Sequence, residues 1–210
     1  MYLSSKKDCL NNNLILLSVA SSYIFTLNFN QEIIFYLELF PNLAHLSIKN
    51  EEYKSELEIF RLGNFIENSK LLSYLQLSFF DLDEVKMKYF CGYLSQNNSI
   101  TNLILNNDKI GKYGAIELSN FIINSKILNT INLSDNLIGD EGTNVLIKAI
   151  LQNWSIENIN LSNNLISDKV GKELCKSIFH RKNFLLSLNL SKNCLGKLVY
   201  LISSVNLLSN

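Results

Sequence analysis

Several kinds of residue and segment are scarce in this chain of 210 residues, and each scarcity argues against a class of protein. The 19 lysines and arginines balance 19 aspartates and glutamates, so the chain has no general attraction for nucleic acid or an acidic membrane. No apolar run reaches the roughly 20 residues that a membrane-spanning helix needs. We therefore expect a soluble, intracellular protein that binds no nucleic acid and inserts into no membrane.

Cysteine and histidine are too few and too widely spaced for a metal site. Cys9, Cys91, Cys175 and Cys194 include no CxxC pair, and the chain has only two histidines. This spacing fits neither a zinc site nor a small disulfide framework. We interpret the thiols as free and buried, and we expect neither a metal nor a cofactor.

What the sequence has in abundance is a repeat. Segments that begin at Ile100, Leu128, Ile156 and Leu185 align without gaps to the pattern L-x-x-L-x-L-x-x-N-x-L, and weaker copies precede them. The first apolar positions of the units are 24, 43, 72, 100, 128, 156 and 185. Successive positions differ by 28 or 29, apart from a first difference of 19. A period of this length indicates a solenoid of stacked units.

Each unit also repeats its second half. Apolar pairs with i, i+4 spacing recur once in every unit, as in Leu118 with Ile122 and Leu146 with Ile150. Side chains at this spacing lie on one stripe of a helix, whereas the alternating L-x-L of the first half is typical of a strand. The sequence therefore predicts a strand, a loop and a helix in every unit.

The chain resembles leucine-rich repeat proteins, and its period resembles their ribonuclease-inhibitor-like subtype. The resemblance implies an α/β fold, a right-handed β/α solenoid in a horseshoe arc with a concave parallel sheet and convex helices. It divides the chain into an N-terminal cap at 1–23, six to seven repeats at 24–193, and a C-terminal cap or partial repeat at 194–210. Residues 14–20 have the apolar character of a short signal peptide, but polar residues separate them from Lys6 and Lys7, which favours the cap.

The asparagine of the motif is expected to have a structural role. Asn136, Asn164 and Asn193 hold this position, while Asp108 and Phe80 replace the asparagine in the two preceding units. A buried amide can donate to and accept from the backbone where a strand bends away. We expect the three asparagines to turn inward and bind the backbone.

No group of residues in the sequence indicates catalysis. Cys175 and His180 stand at i, i+5 and diverge on a helix, and His45 is expected on the open face of the sheet. In the loop that begins at Gly139, we expect Asp140 to cap the helix and Gly142 to relieve crowding, rather than to bind phosphate or metal.

The open face of the sheet is the remaining candidate for function. Most of its side chains are small and neutral, whereas Tyr74, Phe79 and Ile104 form an aromatic and aliphatic cluster in adjacent units. We interpret this cluster as a protein-binding hot spot. The polar positions expected around it are Gln76, Asn102, Asn132 and Asn160. The alternative is that Phe79 and Phe80 merely repack an irregular unit, and Trp154 is expected to pack locally.

Together these features predict a non-catalytic scaffold that binds another protein, for example an enzyme, through its concave sheet and masks or regulates it. The resembled subtype includes enzyme inhibitors, innate immune sensors, GTPase regulators and bacterial effectors. A composition biased toward Asn, Ile and Lys suggests an AT-rich genome, so an effector that a bacterial pathogen delivers into a host cell, or a protist protein, is a further hypothesis. The alternatives are a GTPase-activating or adaptor protein of the same subtype, and an enzyme that uses Cys175 or Cys91.

Overall fold

The computed structural model describes residues 24–28, 37, 40–50, 56–179 and 185–196, with only the backbone described at 24–28, 56, 58 and 179. The expected N-terminal cap at 1–23 and residues 197–210 of the expected C-terminal cap lie outside these ranges. His180 also lies outside them.

Within these described ranges, seven strands form one parallel sheet in which each strand pairs with the next in the chain. The L-x-L core of each repeat forms these strands because its alternating side chains place leucine or isoleucine on the buried face. The strands are β1 (Ile24–Asn28), β2 (His45–Lys49), β3 (Tyr74–Ser78), β4 (Asn102–Asn106), β5 (Thr130–Asn132), β6 (Asn158–Asn160) and β7 (Ser187–Asn189).

A helix follows most strands and packs beside the helix of the next unit. Its apolar stripe buries the residues that recur from unit to unit, such as Leu118 and Leu146. The helices of the described part are α1 (Glu56–Asn68), α2 (Glu84–Gln96), α3 (Lys112–Asn124), α4 (Gly139–Gln152) and α5 (Asp168–Phe179). None of them is both long and apolar enough to cross a membrane.

One continuous apolar core runs between the sheet and the helices, from Leu37 to Leu190. The alternation of strand and helix, the parallel register and this shared core confirm the predicted β/α solenoid. The division of the chain into caps and repeats stays a prediction.

Buried amides tie each unit to its neighbours. Asn136 Oδ1 accepts the backbone N–H groups of Asp108 and Ile110, both at 3.0 Å. Its Nδ2 donates to the carbonyl oxygens of Leu105 at 2.7 Å and Leu133 at 3.0 Å. Equivalent bonds recur in the two units that follow. We call the three side chains that make these bonds the asparagine ladder, and its members are Asn136, Asn164 and Asn193.

The start of α4 differs in part from expectation, because the residues expected in a loop from Gly139 form the first turn of the helix. Asp140 does not cap its own helix, because the N-cap position is held by Ile138 and no side chain bonds there. Instead, Asp140 Oδ1 accepts the backbone N–H of Ser167 in the next unit at 2.8 Å. Gly142 does relieve crowding, since a Cβ there would lie 2.8 Å from Ile138 Cγ2.

Candidate protein-binding surface

We define the concave face as the face of the sheet that points away from the helices. Strand residues at the first and third positions of β2 to β7 are partly exposed there, while the second position is buried. In β4 the third position is buried as well. The side chains of this face from β3 to β6 are Tyr74, Gln76, Asn102, Ile104, Thr130, Asn132, Asn158 and Asn160.

A stacked aromatic pair lies at the N-terminal side of the concave face. The rings of His45 and Tyr74 are 3.8 Å apart between centroids and nearly parallel, at 6°. The strands pair these two residues in register, which sets the stack. Burial lowers the pKa of His45 and raises the pKa of Tyr74, so it favours the neutral form of both side chains. Tyr74 Oη and Gln76 Oε1 are 3.0 Å apart, so the phenol donates to the amide.

Phe79 has an unusual backbone conformation for an aromatic residue. Its φ is 66°, in the left-handed region. The same position of the following units also has a positive φ and is occupied by Asn107, Asp135, Asn163 and Lys192. Asparagine and aspartate tolerate this region best, whereas a bulky residue is strained there. The fold therefore holds a strained phenylalanine where the next three units carry Asn or Asp, which suit the turn, and the unit after them carries a lysine.

The ring of Phe79 is 39% exposed, while its neighbour Phe80 is buried in the core. The Lys49 ammonium lies 5.1 Å from the Phe79 ring centroid, within the range of a cation–π contact. The N–H of Phe80 donates to Asp108 Oδ1 at 2.7 Å, which fixes the turn from the next unit. Repacking of the irregular unit thus accounts for Phe80 but not for the exposed ring of Phe79.

Ile104 does not belong to the exposed cluster in which it was expected, because it is only 8% exposed. It lies on β4 in register between Gln76 and Asn132, and a central strand position is covered by its neighbours on both sides. Ile104 is therefore buried within the concave face, whereas Tyr74 and Phe79 remain accessible in the unit before it.

The expected polar positions carry amides whose orientation is set by the backbone. Asn132 Oδ1 accepts the N–H of Ser134 at 2.9 Å, and Asn160 Oδ1 accepts the N–H of Ser162 at 3.0 Å. Asn102 Nδ2 donates to the hydroxyl of its neighbour Thr101 at 2.9 Å. Whether these amides contact a partner stays a prediction.

Two expectations about burial were wrong. Trp154, expected to pack locally, is 70% exposed in the loop between α4 and β6. Cys194, expected to be buried, is exposed after β7. Trp154 lies in the connection that leads into β6 and Cys194 in the connection that follows β7, at positions where the repeat pattern places no side chain in the core. The pattern also gave no sign that Leu137 and Leu165, which follow ladder asparagines just as Cys194 does, would be exposed.

The thiols considered as nucleophiles lie inside the fold. Cys91 and Cys175 are buried and unpaired. Burial, together with the charge of Glu117, raises the pKa of Cys91, and burial raises the pKa of Cys175. Both therefore stay protonated and weakly nucleophilic at neutral pH. No group of three His, Cys, Asp or Glu side chains in the described ranges is arranged to hold a metal ion.

The fold and this surface define the chain as a leucine-rich-repeat-like β/α solenoid. The solved structure of leiomodin-1 actin-binding site 2 is similar, with a TM-score of 0.61 and 19% identity, over 71% of this chain and 87% of that one. The tropomodulin C-terminal domain of Caenorhabditis elegans is also similar, with a TM-score of 0.58 and 15% identity, over 73% and 92%. No family model and no curated protein matches the sequence.

These neighbours correct the expected subfamily. The sequence indicated the ribonuclease-inhibitor-like subtype and, as a further hypothesis, a bacterial-pathogen effector, whereas the similar folds reported above are leiomodin and tropomodulin domains. The expectation was wrong because the length of a repeat sets only the size of one unit, and that size is shared by solenoids with different relatives.

Proposed function

We propose that this chain is a non-catalytic protein-binding module that contacts its partner with the concave face and with Phe79, in the turn that follows β3. The observation that carries the proposal is the exposed phenylalanine ring at a φ of 66°. Strain of this kind persists where the surrounding structure maintains it, and it is typical of functional sites. The stack of His45 and Tyr74, at the other end of β2 and β3, adds a second aromatic contact for a partner on the same two strands.

We infer further that the module regulates its partner by occupying part of the partner's surface, and that actin is the first partner to test. The leiomodin-1 domain with a similar fold is named for its binding of actin, which supports this choice. A GTPase-activating or adaptor role stays an alternative prediction.

The test is a binding assay with purified actin, both monomeric and filamentous, using the wild type and Phe79→Asn. Asparagine is the residue that the next unit carries at this φ, so the variant keeps the fold and removes the ring. Tyr113→Asn is the matched control, because Tyr113 is an exposed aromatic on α3 with the Lys112 ammonium 5.6 Å from its ring centroid.

We expect Phe79→Asn to weaken binding at least about tenfold, as hot-spot aromatics do, while Tyr113→Asn binds like the wild type. If actin does not bind, the same three proteins are used to capture partners from a cell lysate. Absence of actin binding rejects actin. Capture that is equal for all three proteins rejects the concave face, and no captured protein rejects the binding module.

A further inference from the structure

Asp108 occupies the position of its unit that the asparagine ladder occupies in later units. Its carboxyl is fully buried, and Oδ1 accepts the N–H of Phe80 at 2.7 Å. The second oxygen, Oδ2, is buried and has no hydrogen-bond partner. An unpartnered buried polar atom is costly, so this oxygen requires an explanation.

The ladder shows what that position is built to bind. In Asn136, one atom of the amide accepts backbone N–H groups, and Nδ2 donates to the carbonyls of Leu105 and Leu133. The positions 28 residues earlier, one repeat before Leu105 and Leu133, are Leu77 and Leu105, so the equivalent carbonyls around Asp108 belong to these two residues. An ionised carboxylate offers these carbonyls no donor, whereas a protonated carboxyl offers an O–H at Oδ2.

We propose that Asp108 is a proton-operated switch for the turn that presents Phe79. The protonated side chain imitates a ladder asparagine, since Oδ1 accepts from Phe80 while Oδ2–H donates toward the carbonyls. Loss of the proton leaves a buried anion against carbonyl oxygens, which repels them and loosens the bonded turn next to Phe79.

The neighbouring charges do not neutralise this anion. Charged residues on the turns and helix starts of the unit of Asp108 and its two neighbours include Asp81, Asp83, Glu84, Lys86, Lys109, Lys112 and Asp135. Lys109 Nζ lies 2.8 Å from an Asp81 carboxylate oxygen, and Lys86 Nζ donates to the Asp81 carbonyl at 2.9 Å. Lys112 pairs with Glu141. Burial is the largest influence on the pKa of Asp108 and raises it. The hydrogen bond from Phe80 lowers this pKa and the charge of Asp81 raises it, and the result is a pKa of about 7.

The direction of the switch follows from this pKa. The folded chain keeps the proton to a higher pH than the unfolded chain, where the pKa of aspartate is about 3.9. The stability that Asp108 contributes is therefore complete below about pH 3.9 and is lost progressively as the pH rises from there to about 7. If the ionised form does not bind, partner affinity falls about tenfold between pH 6 and pH 8, a consequence that rests on the proposed function.

The experiment follows the Phe79 and Phe80 backbone amide resonances by NMR from pH 5 to pH 8.5. Wild type is compared with Asp108→Asn, which fixes the ladder side chain in its donor form, and with Asp135→Asn as a control. Asp135 is a partly exposed acid on the equivalent turn one unit after that of Asp108. We expect both resonances to shift with a midpoint near pH 7 in the wild type and the control, and to stay constant in Asp108→Asn.

Resonances that do not titrate in the wild type, or that titrate equally in Asp108→Asn, overturn the switch. The affinity for the captured partner is then measured at pH 6 and pH 8. Binding that requires Phe79 but does not change with pH overturns the switch and leaves the proposed function intact. Binding that is absent at both pH values overturns the proposed function, and the NMR titration then decides the switch alone.

Discussion

At the scale of single residues, stability is concentrated in the buried amides. Asn136 satisfies two backbone donors and three backbone acceptors from two adjacent units. No apolar residue can replace these bonds, because a side chain without donors and acceptors leaves the backbone groups buried and unpaired. The amide therefore acts as a connector between units rather than as a filler of the core.

We expect Asn136→Ala to lower the free energy of unfolding by about 1–3 kcal/mol, because it leaves buried backbone groups without hydrogen-bond partners. The measurement is urea unfolding monitored by circular dichroism. Asn120→Ala is the control, because Asn120 is exposed on α3 and alanine is the better helix former. Equal unfolding midpoints for Asn136→Ala and the wild type would exclude the connecting role.

The ladder is the part of the site that the sequence reveals most directly. A recurring asparagine at a fixed place in an apolar repeat predicts an inward amide from residue type alone. The role of Phe79 was only partly predictable, because the exposure of a ring and the sign of φ are properties of the folded turn. Ile104 was misjudged for a related reason: alternation assigns a side chain to a face but not the extent to which its neighbours cover it.

At the scale of helices, close packing between adjacent units depends on small residues. Gly142 on α4 faces α3, where a Cβ would lie 3.1 Å from Ala115 Cβ and 3.3 Å from Lys112 Cα. Gly92 on α2 has no heavy atom within 4 Å of the equivalent point. Two glycines in the same kind of helix thus have opposite surroundings.

This contrast predicts opposite effects of the same substitution. Gly92→Ala should raise the free energy of unfolding by about 0.5–1 kcal/mol, because alanine favours the helix and meets nothing. Gly142→Ala should lower it by about 1–3 kcal/mol, because the added methyl pushes α4 away from α3. Thermal and urea unfolding of the two variants beside the wild type provide the measurement. A stabilised Gly142→Ala would show that the contact between the helices is looser than described.

The sequence was informative about which helices and strands exist and less so about how they are joined. Period 2 in the strands and period 3.6 in the helices are visible in any single unit. The hydrogen-bond partner of Asp140 is not visible in a single unit, because Asp140 Oδ1 accepts the N–H of Ser167 in the following unit rather than one in its own helix. Contacts between units depend on their stacking register, which the pattern within one unit does not contain.

At the scale of the whole molecule, the order of the strands means that each unit contacts mainly the units before and after it, so the contacts form a nearly one-dimensional series. Each strand pairs only with its neighbours in the chain, and the main contacts among the helices join consecutive units. Stability in such an architecture is approximately a sum of terms for single units and for adjacent pairs. A substitution in one unit should therefore alter the energetic effect of a substitution in the next unit but not in a distant one.

Paired isoleucine to valine substitutions in the buried positions of the strands test this locality. Ile131 and Ile159 are partners in register on β5 and β6, whereas Ile48 on β2 is four strands from Ile159, or about 19 Å at the usual strand spacing. Each substitution alone should lower the free energy of unfolding by about 0.5–1.5 kcal/mol. We expect the distant pair to be additive within about 0.5 kcal/mol and the adjacent pair to deviate by more. Double-mutant cycles by urea unfolding measure both. Strong coupling in the distant pair would mean that the core responds as one rigid body, and the one-dimensional description would then have to be abandoned.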